Sequence, residues 1–247
     1  LIGGGDPLLV TGNYPVTEPY PTFNFTRFEN LFDALRSQGI TQIRGSIVGD
    51  ESRYDAERFS PSLGLGIKGT EVGPLGALMV NDGVITGNPI KPDNPALGAA
   101  TEFTNTLQNN GISVTGTPKV GTAPQDLSVI AKINSLPLSD IVAEMLTNSD
   151  NNTAELLVKE LGFATTGVGS REAGLEVMKA KLVEWGIPLD ALTFVDGSGL
   201  DRGNRLSCSS LSALLAKDGG FGPTGLGLAI AGQTGTLRDV LGDSLGA

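Results

Sequence analysis

Along residues 26–38 the apolar positions Phe28, Leu31, Phe32 and Leu35 fall at i, i+3, i+4 and i+7, so the spacing predicts an amphipathic helix. Gly39 ends the pattern and Ile40 opens the next segment. The arrangement returns twice: Phe103 and Leu107 lead to Gly111-Ile112, and Leu175, Met178 and Leu182 lead to Gly186-Ile187. In each case the glycine can take the left-handed conformation past the helix end while the isoleucine packs back on the last turn. Strand-like runs follow at 43–48, 112–114 and 192–195, so a helix, Gly-Ile, strand unit recurs without being a sequence repeat. Two more strands are predicted at 75–80, short and buried, and at 127–133. From Leu138 onward the pattern turns helical, with Ser139 capping 140–146, Asn152 capping 153–161, Ser170 capping 171–185 and Ser207 capping about 208–216. The change at 134–137 marks a domain boundary between a mixed α/β region and a mostly helical one, and 64–76 offers a smaller one.

At 247 residues and 39% apolar composition the chain can bury a real core. Its 35 glycines are about twice the usual ~7% share, which predicts many loops and tight turns. A formal charge of -10 with no basic run argues against nucleic acid as a partner. No stretch approaches the ~18 apolar residues of a membrane span, so no transmembrane segment is expected in this chain. Cys208 stands alone, which excludes an intrachain disulfide; its helical surroundings predict a small core residue. The absence of histidine excludes a Ser-His-Asp triad, a Cys-His pair and a His-Glu-x-x-His zinc site within these residues. A catalytic serine here must pass its proton to lysine, a carboxylate or water. Nothing calls for a metal or an organic cofactor.

The polar run 147–157 interrupts the helical pattern. Asn152 with Glu155 three residues later fits a capping box, which accounts for those two residues. Ser149, Asp150 and Asn151 are left between helix ends, where their side chains can enter a cleft and the next helix N-terminus favours an anion. Asp196-Gly197-Ser198-Gly199-Leu200 reads as a tight turn in which the glycines supply positive φ and Asp or Ser bonds the backbone. Gly3 to Pro7 is also a turn, since it lacks the Lys-Ser/Thr ending of a phosphate loop.

Ser149-Asp150-Asn151 is similar to the second of the three motifs of penicillin-interacting serine enzymes, the others being Ser-x-x-Lys and Lys-Thr-Gly. With Ser135-Leu-Pro-Leu-Ser139, Met145-Leu146 and Ala154-Glu155 around it, the chain resembles the class C low-molecular-mass penicillin-binding proteins, the D-alanyl-D-alanine carboxypeptidases and endopeptidases. Segments resembling the same family occur in the same order along nearly the whole chain. They are Gly3 to Pro7, Gly49-Asp50 with Ser52 and Tyr54-Asp55, Gly73 to Leu78 with Asn81, and Asp196 to Leu200 with Arg202, Asn204 and Ser207. None of the eight lysines has a serine three residues earlier, so the family's nucleophile and its Lys are expected before Leu1. Ala231 to Leu237, with Arg238 after it, resembles a segment upstream of Lys-Thr-Gly. Gln233 is therefore no catalytic substitution, and the third motif is expected beyond Ala247.

The resemblance implies an α+β fold, a partial serine penicillin-binding (β-lactamase-like) helix-and-sheet domain with inserted α/β domains. The inserted subdomains are expected at 1–75 and 76–134, and the incomplete catalytic domain at 135–247. It implies Ser149 as a proton relay and Asn151 as a holder of the substrate amide, with Asp150 bracing the turn and Asp196, Gly197 and Ser198 lining or supporting the cleft. The partners implied are a peptidoglycan stem peptide and, in the intact parent, β-lactam antibiotics; the location implied is the bacterial cell envelope, periplasmic or secreted. A non-catalytic binder of wall peptides or partner proteins and a structural envelope module are the alternatives.

Overall fold

The computed structural model describes residues 1–12, 14, 22–88, 90–190 and 192–217. Backbone contacts divide them into two units, one of 1–59 with 67–136, the other of 60–66 with the residues from Pro137 onward.

In the first unit, β1 (Leu9–Val10) pairs in parallel with β2 (Thr26–Arg27), and α1 (Glu29–Ser37) follows. The predicted helix begins three residues late because Thr26 and Arg27 are held by β1, with Phe28 N–H donating to the Val10 carbonyl at 2.9 Å. Two helix, Gly-Ile, strand units then lie side by side. After α1 come β3 (Gln42–Ile43) and β4 (Val48–Gly49); after α2 (Pro95–Asn109) come β5 (Ser113–Val114) and β6 (Lys119–Val120). β3 pairs in parallel with β5, Ile43 opposite Val114, and β4 with β6, Val48 opposite Lys119. The run predicted as one strand at 43–48 is thus split, because Gly45 at φ 123 leaves the strand region. The Gly-Ile closures are as predicted: Gly39, Gly111 and Gly186 have φ of 73, 85 and 71. The following isoleucine N–H reaches back to Leu35, Leu107 and Leu182 at 3.3, 2.9 and 2.9 Å.

Asn94 caps α2 by accepting from Leu97 N–H at 2.9 Å, with Pro95 at its first position. The core joins Phe28, Phe32 and Leu35 of the first repeat to Ala99, Phe103 and Leu107 of the second, the Phe28 and Phe103 rings lying 5.1 Å apart. Two strand predictions fail. Leu75, Ala77, Leu78, Met79 and Val80 are buried as expected, yet the segment joins no ladder and ends in a 3-10 turn at Asn81–Gly83. A short apolar run reports burial, not hydrogen-bond partners. Residues 127–133 form no strand either, and Leu127, Val129 and Ile130 are exposed.

The second unit contains α3 (Leu138–Asn148), α4 (Asn151–Thr166), α5 (Arg171–Glu184) and α6 (Cys208–Lys217). Ser170 and Ser207 cap α5 and α6 as predicted, accepting from Ala173 and Ser210 N–H at 3.1 Å each. Ser139 does not cap α3, because that helix starts at Leu138 behind Pro137 and leaves Ser139 inside its first turn. The run 192–195 contributes a single antiparallel bridge, Thr193 to Arg205. Cys208, the first residue of α6, is exposed and not part of a core. Residues 231–238, including Gln233, lie outside the described residues. Among those described, no helix is long and apolar enough to cross a membrane.

Candidate active site

The joint between α3 and α4 is only two residues long. Ser149 ends α3 at φ 55, ψ 44, a left-handed conformation that costs a non-glycine residue about 1–2 kcal/mol. Asp150 N–H then closes on the Met145 carbonyl at 3.0 Å. Asp150 turns back to extended backbone and caps α4, accepting from Thr153 N–H at 3.1 Å and from its hydroxyl at 2.5 Å. This corrects the expected capping box at Asn152 and Glu155. Both Asp150 and Asn152 are good caps by type. The left-handed turn at Ser149 lets the helix start at Asn151, so the cap falls to Asp150. Ser149 is exposed, Asn151 is half-buried and Asn152 is buried.

Released from capping, Glu155 takes a different place. It is buried, and its Oε1 accepts from Gly197 N–H at 3.0 Å and Ser198 N–H at 2.8 Å. The structure thereby brings the two candidate segments together on α4, since Asn151 and Glu155 stand four residues apart on one helix face. Burial pushes the Glu155 carboxyl above the ordinary glutamate range; hydrogen bonds from Ser198 and Gly197 oppose the rise and the nearby Asp196 charge adds to it.

The 196–204 loop is organised around two buried carboxylates. Asp196 accepts from Gly199 N–H at 2.9 Å, Asp201 N–H at 2.6 Å and the Asn204 amide at 2.6 Å. Asp201 accepts from Gly203 N–H at 2.7 Å and from the hydroxyls of Ser60 and Ser62. These bonds, led by that of Ser62, hold Asp201 below the ordinary aspartate range. Gly199 supplies the expected positive φ of 81. Gly197 does not; it is required for closeness, because a Cβ there would lie 2.9 Å from the Ala154 carbonyl and 2.6 Å from Val158 Cγ2. Arg171 of α5 steadies the loop's entrance by donating to the Val195 carbonyl at 2.8 Å.

In the first unit, the segment resembling Gly49-Asp50-x-Ser52 does structural work. Asp50 accepts from Ser52 N–H at 2.8 Å and Ala123 N–H at 2.6 Å, beside a cleft of about 220 Å³ that also includes Tyr54 and Asn94. Glu155, Asn204 and Arg171 are the site-building residues whose roles the sequence did not disclose. For Glu155 the available signal was the competing Asp150-x-x-Thr153 cap, which frees it.

A family model described as the D-Ala-D-Ala carboxypeptidase 3 (S13) family matches residues 85–245. The chain belongs to this family. The S13 match takes in both candidate segments and bears out the resemblance to low-molecular-mass penicillin-binding carboxypeptidases. The D-alanyl-D-alanine carboxypeptidase of Actinomadura sp. (strain R39) is 37% identical over 130 residues, covering 51% of this chain and 24% of the relative. A carboxypeptidase of Mycobacterium tuberculosis is 27% identical across 97% of this chain and 52% of its own length. The chain therefore spans about half, or less, of the curated relatives it matches. Penicillin binding protein 4 of Haemophilus influenzae superposes with a TM-score of 0.71 at 20% identity, over 93% of this chain and 62% of that one. A second structure of that protein, complexed with a novel beta-lactam, gives 0.60 at 20% identity, over 88% and 59%. These likenesses bear out the expected partial penicillin-binding α+β fold.

Proposed function

We propose that the full-length protein is a serine-type D-alanyl-D-alanine carboxypeptidase of the bacterial cell envelope that acts on peptidoglycan stem peptides through an acyl-enzyme, and that this chain supplies the second of its three motifs. The observation that carries the reading is Ser149, a non-glycine residue kept exposed in a left-handed turn whose neighbours do the capping. Strained, over-determined positions of this kind cluster at functional sites. Domains follow the same reading, with inserted α/β parts at 1–75 and 76–134 and the helical part of the catalytic domain at 135–247.

In this mechanism a serine hydroxyl from a Ser-x-x-Lys motif attacks the carbonyl between two D-alanines. Its proton leaves through the lysine, which needs a lowered pKa to serve without histidine. The Ser149 hydroxyl, able to accept and donate, relays that proton to the departing D-Ala amine. Water then hydrolyses the ester. Asn151 holds the substrate amide through its side chain, Asp150 braces the turn, and Asp196, Gly197 and Ser198 support the cleft wall. We assign Ser-x-x-Lys and Lys-Thr-Gly to the remaining length of the family's proteins. β-Lactams would acylate the same serine, and a peptide crosslink is a second substrate of the same chemistry.

Asn151→Ala in the full-length protein is expected to slow both peptide turnover and acylation by penicillin. Stopped-flow acylation at the wild-type rate would remove Asn151 from substrate binding.

A further inference from the structure

We infer that Glu155 is a positioning residue: it clamps the 196–201 loop onto α4 and thereby fixes Asn151, one helical turn upstream, relative to that loop. The inference rests on the reading of Asn151 as a substrate-holding residue and adds a residue outside the three motifs.

Three observations converge on it. One oxygen, Oε1, receives two successive backbone N–H groups, those of Gly197 and Ser198, so a single side chain sets both the height and the angle of the loop. The loop backbone lies directly on the helix there, since a Cβ at Gly197 would be 2.9 Å from the Ala154 carbonyl oxygen of α4. The loop is also stiffened internally by Asp196, which accepts from Gly199, Asp201 and Asn204, so it moves as one piece when its anchor moves. Glu155 reaches this place from the helix face that carries Asn151. An anchor of this kind acts through geometry, and what it needs is an acceptor oxygen at that point. The negative charge is not required, because burial and the nearby Asp196 disfavour it.

A glutamine keeps the acceptor oxygen and removes the charge, whereas alanine removes both and aspartate falls one methylene short. In the full-length protein, a penicillin burst counts acylation-competent sites while the burst rate reports acylation per site. Glu155→Ala and Glu155→Asp are expected to lower the rate per site by about 10-fold or more, as small displacements of a reacting group do. Glu155→Gln is expected to recover it to within about 2-fold. Its melting temperature relative to wild type should rise as pH increases from the ordinary glutamate value of 4.5. The sign follows because a carboxyl whose folded pKa is raised destabilises the fold only as it ionises.

A merely structural residue would reduce the number of titratable sites and leave the rate per site unchanged; that result in Glu155→Asp or Glu155→Ala overturns the inference. Should Glu155→Ala not fold, the comparison of Glu155→Asp with Glu155→Gln decides it. Asn151→Ala run in parallel separates the two levels. Slow acylation in Asn151→Ala with wild-type rates in Glu155→Ala and Glu155→Asp rejects only the positioning role, while a wild-type rate in Asn151→Ala rejects the reading beneath it as well.

Discussion

In the full-length protein, Ser149→Ala is expected to lower turnover of a D-Ala-D-Ala-terminated peptide by about 10²–10⁴, the usual worth of positioned acid-base help. The fold should be little affected, because Asp150 caps α4 and its N–H closes on Met145, neither through the Ser149 side chain. Exposed substitutions of this kind shift the melting temperature by no more than about 2 °C. Ser149→Gly separates strain from chemistry. It removes the same hydroxyl but relieves the left-handed strain at φ 55, so it should match alanine in lost turnover and exceed it in stability by about 1 kcal/mol. Steady-state rates at the wild-type level in both variants would take Ser149 out of the mechanism.

The largest expected effect on stability lies where α4 crosses α5. An added Cβ at Gly174 would sit 1.9 Å from the Val158 carbonyl oxygen, and one at Gly162 would sit 2.8 Å from Gly174 N. Two glycines facing each other let the helices approach backbone to backbone, which seats Val158 and Glu155 against the 196–204 loop. Gly174→Ala should cost about 3 kcal/mol in overpacking against about 1 kcal/mol gained in helix propensity. The net loss of about 2 kcal/mol corresponds to a fall in melting temperature of roughly 4–8 °C. Calorimetry showing no fall, or a rise, would mean that the crossing is looser than the backbone distances require.

Local rules carried far in this chain where a residue answers to its neighbours in sequence. Gly39-Ile40, Gly111-Ile112 and Gly186-Ile187 each close a helix as their spacing predicts, and Ser170 and Ser207 cap the helices that follow them. They carried less far where partners are distant. Residues 75–80 look like a strand because a buried segment is apolar, yet ladder partners decide strands and none of this segment joins a ladder. At the candidate site, the residues themselves showed only that Ser149 to Asn151 are polar and left between helix ends, and the resemblance to a known motif is what singled them out. The capping pattern offered two registers two residues apart, and the choice depended on the backbone at Ser149, which no propensity specifies. That choice is what sends Glu155 to Gly197 and Ser198, 42 and 43 residues away. Long-range pairings of this kind leave no periodic trace.

The Ser149 to Asn151 turn is proposed to belong to a working acyl-transfer site. Mass spectrometry of the full-length protein after incubation with benzylpenicillin, with D-alanine release followed on the untreated sample, tests it most directly. One penicilloyl adduct per chain, on the serine of a Ser-x-x-Lys motif, together with D-alanine release that the adduct abolishes, is the predicted result. A full-length protein that neither gains the adduct nor releases D-alanine would rule out that role and point to a non-catalytic binder of wall peptides.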